Sequence, residues 1–236
     1  MGTVYSSLGE NEKAIECCQK ATDIKPKMHE AWTNMGIAYS SLGEKEKATE
    51  CFQKTIEIKP DKHEAWYNMG NAYDDLGQNE KAIECYQKAI DIKMDYDAAW
   101  NNMGYVYYSL GQKKKSIEFY QKSIDIKLDN DVAWHNMGRS YLLLHQLPEA
   151  ETALLKAWEL SGHKSGNAPM NLGHLCLLRG EREQALNWYR QSLPLWEDQE
   201  KFFTGMASDY EDLQMAGRGI SREAYAEILE GLRGRE

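Results

Sequence analysis

Proline is scarce, five residues in 236, so neither Pro-rich linkers nor a disordered Pro-rich tract organises this chain. No apolar run approaches the ~20 residues of a membrane-spanning helix, which argues against direct membrane insertion. Cations are in deficit: 28 Lys and Arg face 37 Asp and Glu, for a net charge of −9. Nucleic acid is therefore not expected as a partner, because phosphate binding needs clustered Lys and Arg. There is no paired Cys-x-x-Cys spacing for zinc. Cys17, Cys51 and Cys85 recur at one position of a periodic pattern, a helix diameter apart in the expected stack and too far for disulfides. Free thiols favour a reducing compartment, with the cytoplasm expected. Catalytic signatures are missing too: no Gly-rich phosphate loop, no HExxH, no GxSxG. His29-Glu30 and His63-Glu64 lack the second His of a zinc site and are expected to be solvated at helix starts. Lys113 to Lys115 reads as a solvated charge run. The chain is expected to be no enzyme, with no cofactor and no metal site.

What is present is a period. Trp32, Trp66, Trp100 and Trp134 stand 34 residues apart, and Met35-Gly36, Met69-Gly70, Met103-Gly104 and Met137-Gly138 follow in register. A fixed step of this length marks a stacked repeat array. Within the unit 63–96, Trp66, Met69, Tyr73 and Leu76 lie on one helical face. Gly77 supplies a turn where φ can be positive. Ala82, Ile83, Tyr86, Ala89 and Ile90 form the face of a second helix, with charges on its other side. The unit is thus two antiparallel amphipathic helices. One hairpin cannot bury its own apolar face, and stacked neighbours do so.

Trp-x2-Met-Gly-x2-Tyr, then Gly, then Ala-x3-Tyr/Phe-x2-Ala, then Pro, resembles the tetratricopeptide repeat over residues 1–199. The resemblance implies an all-α fold, a right-handed α–α superhelix whose first helices line a concave groove. It also implies protein or peptide binding.

In chain order, residues 1–28 read as a truncated unit: Gly2 aligns with Gly36 and Tyr5 with Tyr39. Full units span 29–62, 63–96, 97–130 and 131–164, and a divergent unit spans 166–199. Pro26 and Pro60 close second helices. Met94 and Leu128 replace them later, His145 replaces the turn Gly, and Pro148 opens a second helix. Residues 200–236 leave the pattern and are expected to form a two-helix cap over the last apolar face, with Ser221 as an N-cap. A docking helix for a partner is the rival reading of this tail.

The groove face of each first helix holds the second, fifth, sixth, ninth, twelfth and thirteenth positions of the unit. The sixth is always asparagine: Asn34, Asn68, Asn102, Asn136 and Asn171. An amide donates and accepts at once, so such a column can grip the backbone of an extended peptide. It resembles the asparagine ladder of the repeat domain of O-linked N-acetylglucosamine transferase. The alternative is that these residues bridge neighbouring helices or follow the repeat consensus. Around them, Tyr67, Asn71, Asp74, Asn101, Tyr105, Tyr108, His135, Arg139 and His174 complete the candidate peptide-binding set. His135 and His174 are expected to share the groove. The groove reads acidic at its start, aromatic in the middle, and apolar with basic character at its end. That pattern suits an extended segment with one basic and one apolar end.

The leading functional expectation is a non-catalytic scaffold that binds a partner polypeptide in this groove. Two alternatives stand beside it. One is the targeting arm of a larger enzyme such as a glycosyltransferase or protease, consistent with a fragment beginning inside a helix at Met1. The other is homo-oligomeric assembly by end-to-end stacking through that bare end.

Overall fold

A computed structural model describes residues 10–217 and 219–233. Among them the regular structure is helical, with thirteen α-helices and no strand. The expected first helix around Gly2 and Tyr5 lies outside the described residues. The chain divides into two compact units, residues 1–110 and 111–236.

Unit 1 carries α1 (Asn11–Ile24), α2 (His29–Ser41), α3 (Lys45–Ile58), α4 (His63–Asp75), α5 (Asn79–Ile92) and α6 (Asp97–Ser109). The helices pack as consecutive hairpins, α2 with α3 and α4 with α5. The turns within them need left-handed backbone, and Gly43 (φ 80°) and Gly77 (φ 68°) supply it. Glycine also sets how closely the hairpin arms approach. A Cβ on Gly70 would stand 2.7 Å from Cε1 of Tyr86, so the tyrosine ring occupies the room a side chain would need. Gly36 and Phe52 repeat the arrangement one period earlier, also at 2.7 Å. Between hairpins, Phe52 and Ile56 of α3 pack with Ala65, Met69 and Ala72 of α4 and Cys85 of α5. Full burial of each such large side chain contributes about 2–3 kcal/mol.

The periodic tryptophans tie down the loops. The Nε1–H of Trp32 donates to the Pro26 carbonyl, that of Trp66 to Pro60 and that of Trp100 to Met94, each at 2.9 Å. The acceptor is a backbone carbonyl, so Met94 serves where the other two loops have proline.

Unit 2 carries α7 (Lys113–Ile126), α8 (Asp131–Leu143), α9 (Leu147–Leu160), α10 (Asn167–Arg179), α11 (Arg182–Ser192), α12 (Gln199–Met215) and α13 (Arg222–Arg233). Its first apolar cluster joins Tyr120 and Ile124 of α7 to Ala133 and Met137 of α8 and Ala153 of α9. Trp134 Nε1–H donates to the Leu128 carbonyl at 3.1 Å. His145 adopts the turn conformation of the missing glycine, at φ 60°. Ser221 Oγ accepts from Ala224 N at 3.0 Å and starts α13. Helix α13 packs on α11. Helix α12 lies instead against α8, with Phe202, Met206, Asp209 and Leu213 turned inward.

Candidate functional site

In unit 1 the groove positions come from α2, α4 and α6. Asn34 and Asn68 are half-buried. Asn68 and Asn71 share an open pocket with Ile37, Ser40, Ser41, Lys45 and Phe52. Lys45 reaches across the pocket from α3, bonding Ser40 Oγ at 3.2 Å and Asp75 Oδ2 at 2.5 Å. Among the described residues its neighbour Asp74 has no such cation. Burial, and then the adjacent Asp75 charge, hold the Asp74 carboxyl above its usual range.

Asn102 behaves differently from Asn68. Its Nδ2 donates to Asn71 Oδ1 at 2.9 Å and to the Tyr67 hydroxyl at 3.1 Å. Its Oδ1 accepts from Asn101 Nδ2 at 3.1 Å. The Tyr86 hydroxyl also donates to Asn71 Oδ1, at 2.8 Å. Both ends of the Asn102 amide are therefore engaged inside the protein, while the Asn71 Nδ2 remains the donor available at the pocket. Tyr67 belongs to an aromatic cluster: its ring centroid is 5.9 Å from that of Tyr86 and 5.0 Å from that of Tyr96. Tyr96 in turn meets the edge of His63 at 5.0 Å. Of the remaining candidates in this unit, Tyr105 is exposed, whereas Asn101 and Tyr108 are buried.

The expectation of solvated histidines at the helix starts is corrected. The side chains of His29 and His63 keep only 21% and 20% exposure, each with a ring nitrogen 3.3 Å from the carboxylate of Glu30 or Glu64. Lys113 is likewise half-buried rather than free in solvent.

Unit 2 departs from the expected open groove. Arg139 Nη2 lies 2.6 Å from Asp209 Oδ1 and 2.9 Å from Asp212 Oδ2, both on α12. Asn136 is half-buried. Asn171 is buried and donates through Nδ2 to His135 Nε2 at 3.1 Å and to the Asn167 carbonyl at 3.2 Å. His135 Nε2 accepts that bond, which places the imidazole proton on Nδ1. Burial, and then the Arg139 charge, push His135 down to about 4. His174 is fully buried, its ring edge-on to Tyr189 at 5.4 Å. Its nitrogens turn toward the backbone of Met170 and Met206 without reaching hydrogen-bond geometry, and burial lowers its pKa. Asn171 and His174 are thus buried and Arg139 is half-buried against α12.

Sequence reasoning missed Asp209, Asp212, Lys45 and Tyr86 as members of the groove. The acidic pair was readable as two carboxylates three residues apart beside an apolar stripe on one helix. Nothing in the sequence aligned that stripe with α8.

Models of the tetratricopeptide repeat match residues 2–43 and 70–111, 29–62 and 98–130, 51–84, and 170–201. The chain carries tetratricopeptide repeats. Solved tetratricopeptide structures share this fold. MamA is 28% identical, with a TM-score of 0.64 over 69% of this chain and 95% of its own. YrrB, described as a TPR protein with an unusual peptide-binding site, is 21% identical, with a TM-score of 0.61 over 81% of this chain and 98% of its own. PilW, described as a widely conserved type IV pilus biogenesis factor, is 20% identical, with a TM-score of 0.75 over 86% of this chain and 94% of its own. Among curated proteins, none matches the chain. The last two likenesses speak for the tetratricopeptide fold alone.

Proposed function

We propose that the chain is a non-catalytic interaction scaffold and that the groove face of unit 1 binds an extended segment of a partner polypeptide. The carrying observation is a pair of amide groups left without partners at an open pocket, Asn68 and the Nδ2 of Asn71, with Asn34 at the position matching Asn68 one repeat earlier. Such groups can donate to and accept from a peptide backbone whatever its side chains. A neighbour of the same fold is described as having a peptide-binding site, which supports the reading. Of the five asparagines in the column, Asn34 and Asn68 stay in the proposed site and Asn71 joins them, because Asn102, Asn136 and Asn171 are engaged within the protein. Asp74 adds a carboxylate lacking a cation and favours a basic residue in the bound segment.

The test is selection of peptides from a phage-displayed random dodecamer library on the intact chain. Binding of the selected peptides is then measured by fluorescence polarisation. Asn34→Ala with Asn68→Ala should weaken binding at least tenfold with an unchanged melting temperature. Undiminished binding by that folded variant would overturn the assignment.

A further inference from the structure

The groove face of unit 2 holds a helix that the chain itself supplies. Phe202, Met206, Asp209 and Leu213 of α12 follow i, i+4, i+7, i+11 spacing and all four are buried. Leu142, Leu143 and Asn171 wall the seat around Asp209, Asp212 and Leu213. Arg139 reads the helix by charge: one guanidinium takes a carboxylate from each of two positions three residues apart. Both carboxylates meet one nitrogen, Nη2, whose two N–H groups can each donate to one of them. A neutral or basic helix in the same place would leave the guanidinium unpaired in a half-buried site.

The fit of α12 is incomplete. The hydroxyls of Tyr210 on α12 and of Tyr225, whose ring stacks on it at 4.1 Å, are buried without hydrogen-bond partners. Each orphaned polar atom disfavours the docked state relative to one in which water reaches it.

We propose that this face is a helix-binding site with α12 as its resident occupant. A partner amphipathic helix, bearing two carboxylates three residues apart beside an apolar stripe, displaces α12 from it. The charge complementarity of Arg139 selects that partner. The site is independent of the extended-peptide groove proposed for unit 1 and uses none of its residues.

The probe is a fluorescein-labelled peptide of residues 199–215, QEKFFTGMASDYEDLQM, titrated against the intact chain. Asp209→Asn with Asp212→Asn in the chain removes the resident pair and leaves Arg139 for the peptide. That variant should bind the peptide at least tenfold more tightly than wild type. Adding Arg139→Ala, or replacing both aspartates of the peptide by asparagine, should erase the gain. Equal binding to wild type and variant, or a gain that survives without Arg139, would sink the proposal. Hydrogen exchange on the unaltered chain gives a check that no folding defect can blur. The amides of α12 should exchange by local opening well before those of α10 and α11. Exchange of α12 at the same rate as α10 would make it an inseparable part of the core and overturn the idea.

Discussion

Asn102 on α6 donates through one amide group to both Asn71 Oδ1, at 2.9 Å, and the Tyr67 hydroxyl, at 3.1 Å, on α4. Two first helices in successive repeats are therefore joined by a shared polar junction, to which Tyr86 of α5 adds a third hydrogen bond. Truncating Asn102 would strand partly buried partners, which costs about 1–3 kcal/mol. Asn68 makes no such bond and its truncation should stay within ~0.5 kcal/mol. Urea denaturation of Asn102→Ala and Asn68→Ala checks this. Equal losses would mean that the asparagines play one common role.

Gly70 tests the hairpin contact. A methyl group there would stand 2.7 Å from Tyr86 Cε1, inside van der Waals distance, and Tyr86 is fully buried with its hydroxyl tied to Asn71. Gly70→Ala should therefore destabilise the chain by about 1–3 kcal/mol, although alanine is the better helix former. In a double-mutant cycle, Gly70→Ala should cost less in a Tyr86→Ala background than in the wild type, as read in thermal melts. A single Gly70→Ala variant as stable as wild type would show that the arms can part without cost.

The repeating elements were legible because their causes are local and recur. Tryptophan, Met-Gly and turn-glycine positions mark helix faces and reversals without any long-range information, and Gly77 takes the positive φ its place implied. The expected Asn column was legible as a column, but its chemistry was not. Whether an amide is free depends on neighbours such as Tyr86 and Asn101, whose reach is set by packing. The tail was legible as two helices broken near Gly217. Of its two helices, α13 packs on α11, while α12 lies over Asn171 of α10 and reaches back to α8. The attraction of Asp209 and Asp212 for Arg139 acts across roughly 70 residues of chain, where helical periodicity carries no signal.

Acid should loosen unit 2. His135 falls from its usual 6.5 to about 4, and His174 is lowered too, in both cases through burial first. A folded-state pKa below the unfolded value means that the unfolded chain binds more protons between the two. Stability is then full above about pH 6.5 and is lost as the pH falls toward 4. The loss at pH 5 should reach up to about 2 kcal/mol for His135. Melting temperatures recorded from pH 7.5 to 5 should fall along that course, and His174→Leu should flatten the slope. A flat profile in the wild type would show both imidazoles to be accessible to protons in the folded state.

The tryptophan-to-loop bond separates the parts played by proline and tryptophan. Trp66 Nε1–H donates to the Pro60 carbonyl at 2.9 Å, and Trp100 makes the same 2.9 Å bond to Met94. The loop therefore needs a carbonyl in place and tolerates different side chains above it. Pro60→Met should cost no more than about 1 kcal/mol, mainly through the greater freedom of the unfolded chain. Trp66→Phe should cost more, about 1–3 kcal/mol, because it removes both the donor and part of a ring packed on the Phe52 and Met69 cluster. Thermal melts of the two variants decide the order. If Pro60→Met proves the more damaging change, proline rigidity rather than the indole bond holds the loop, and the bond to Met94 would need another explanation.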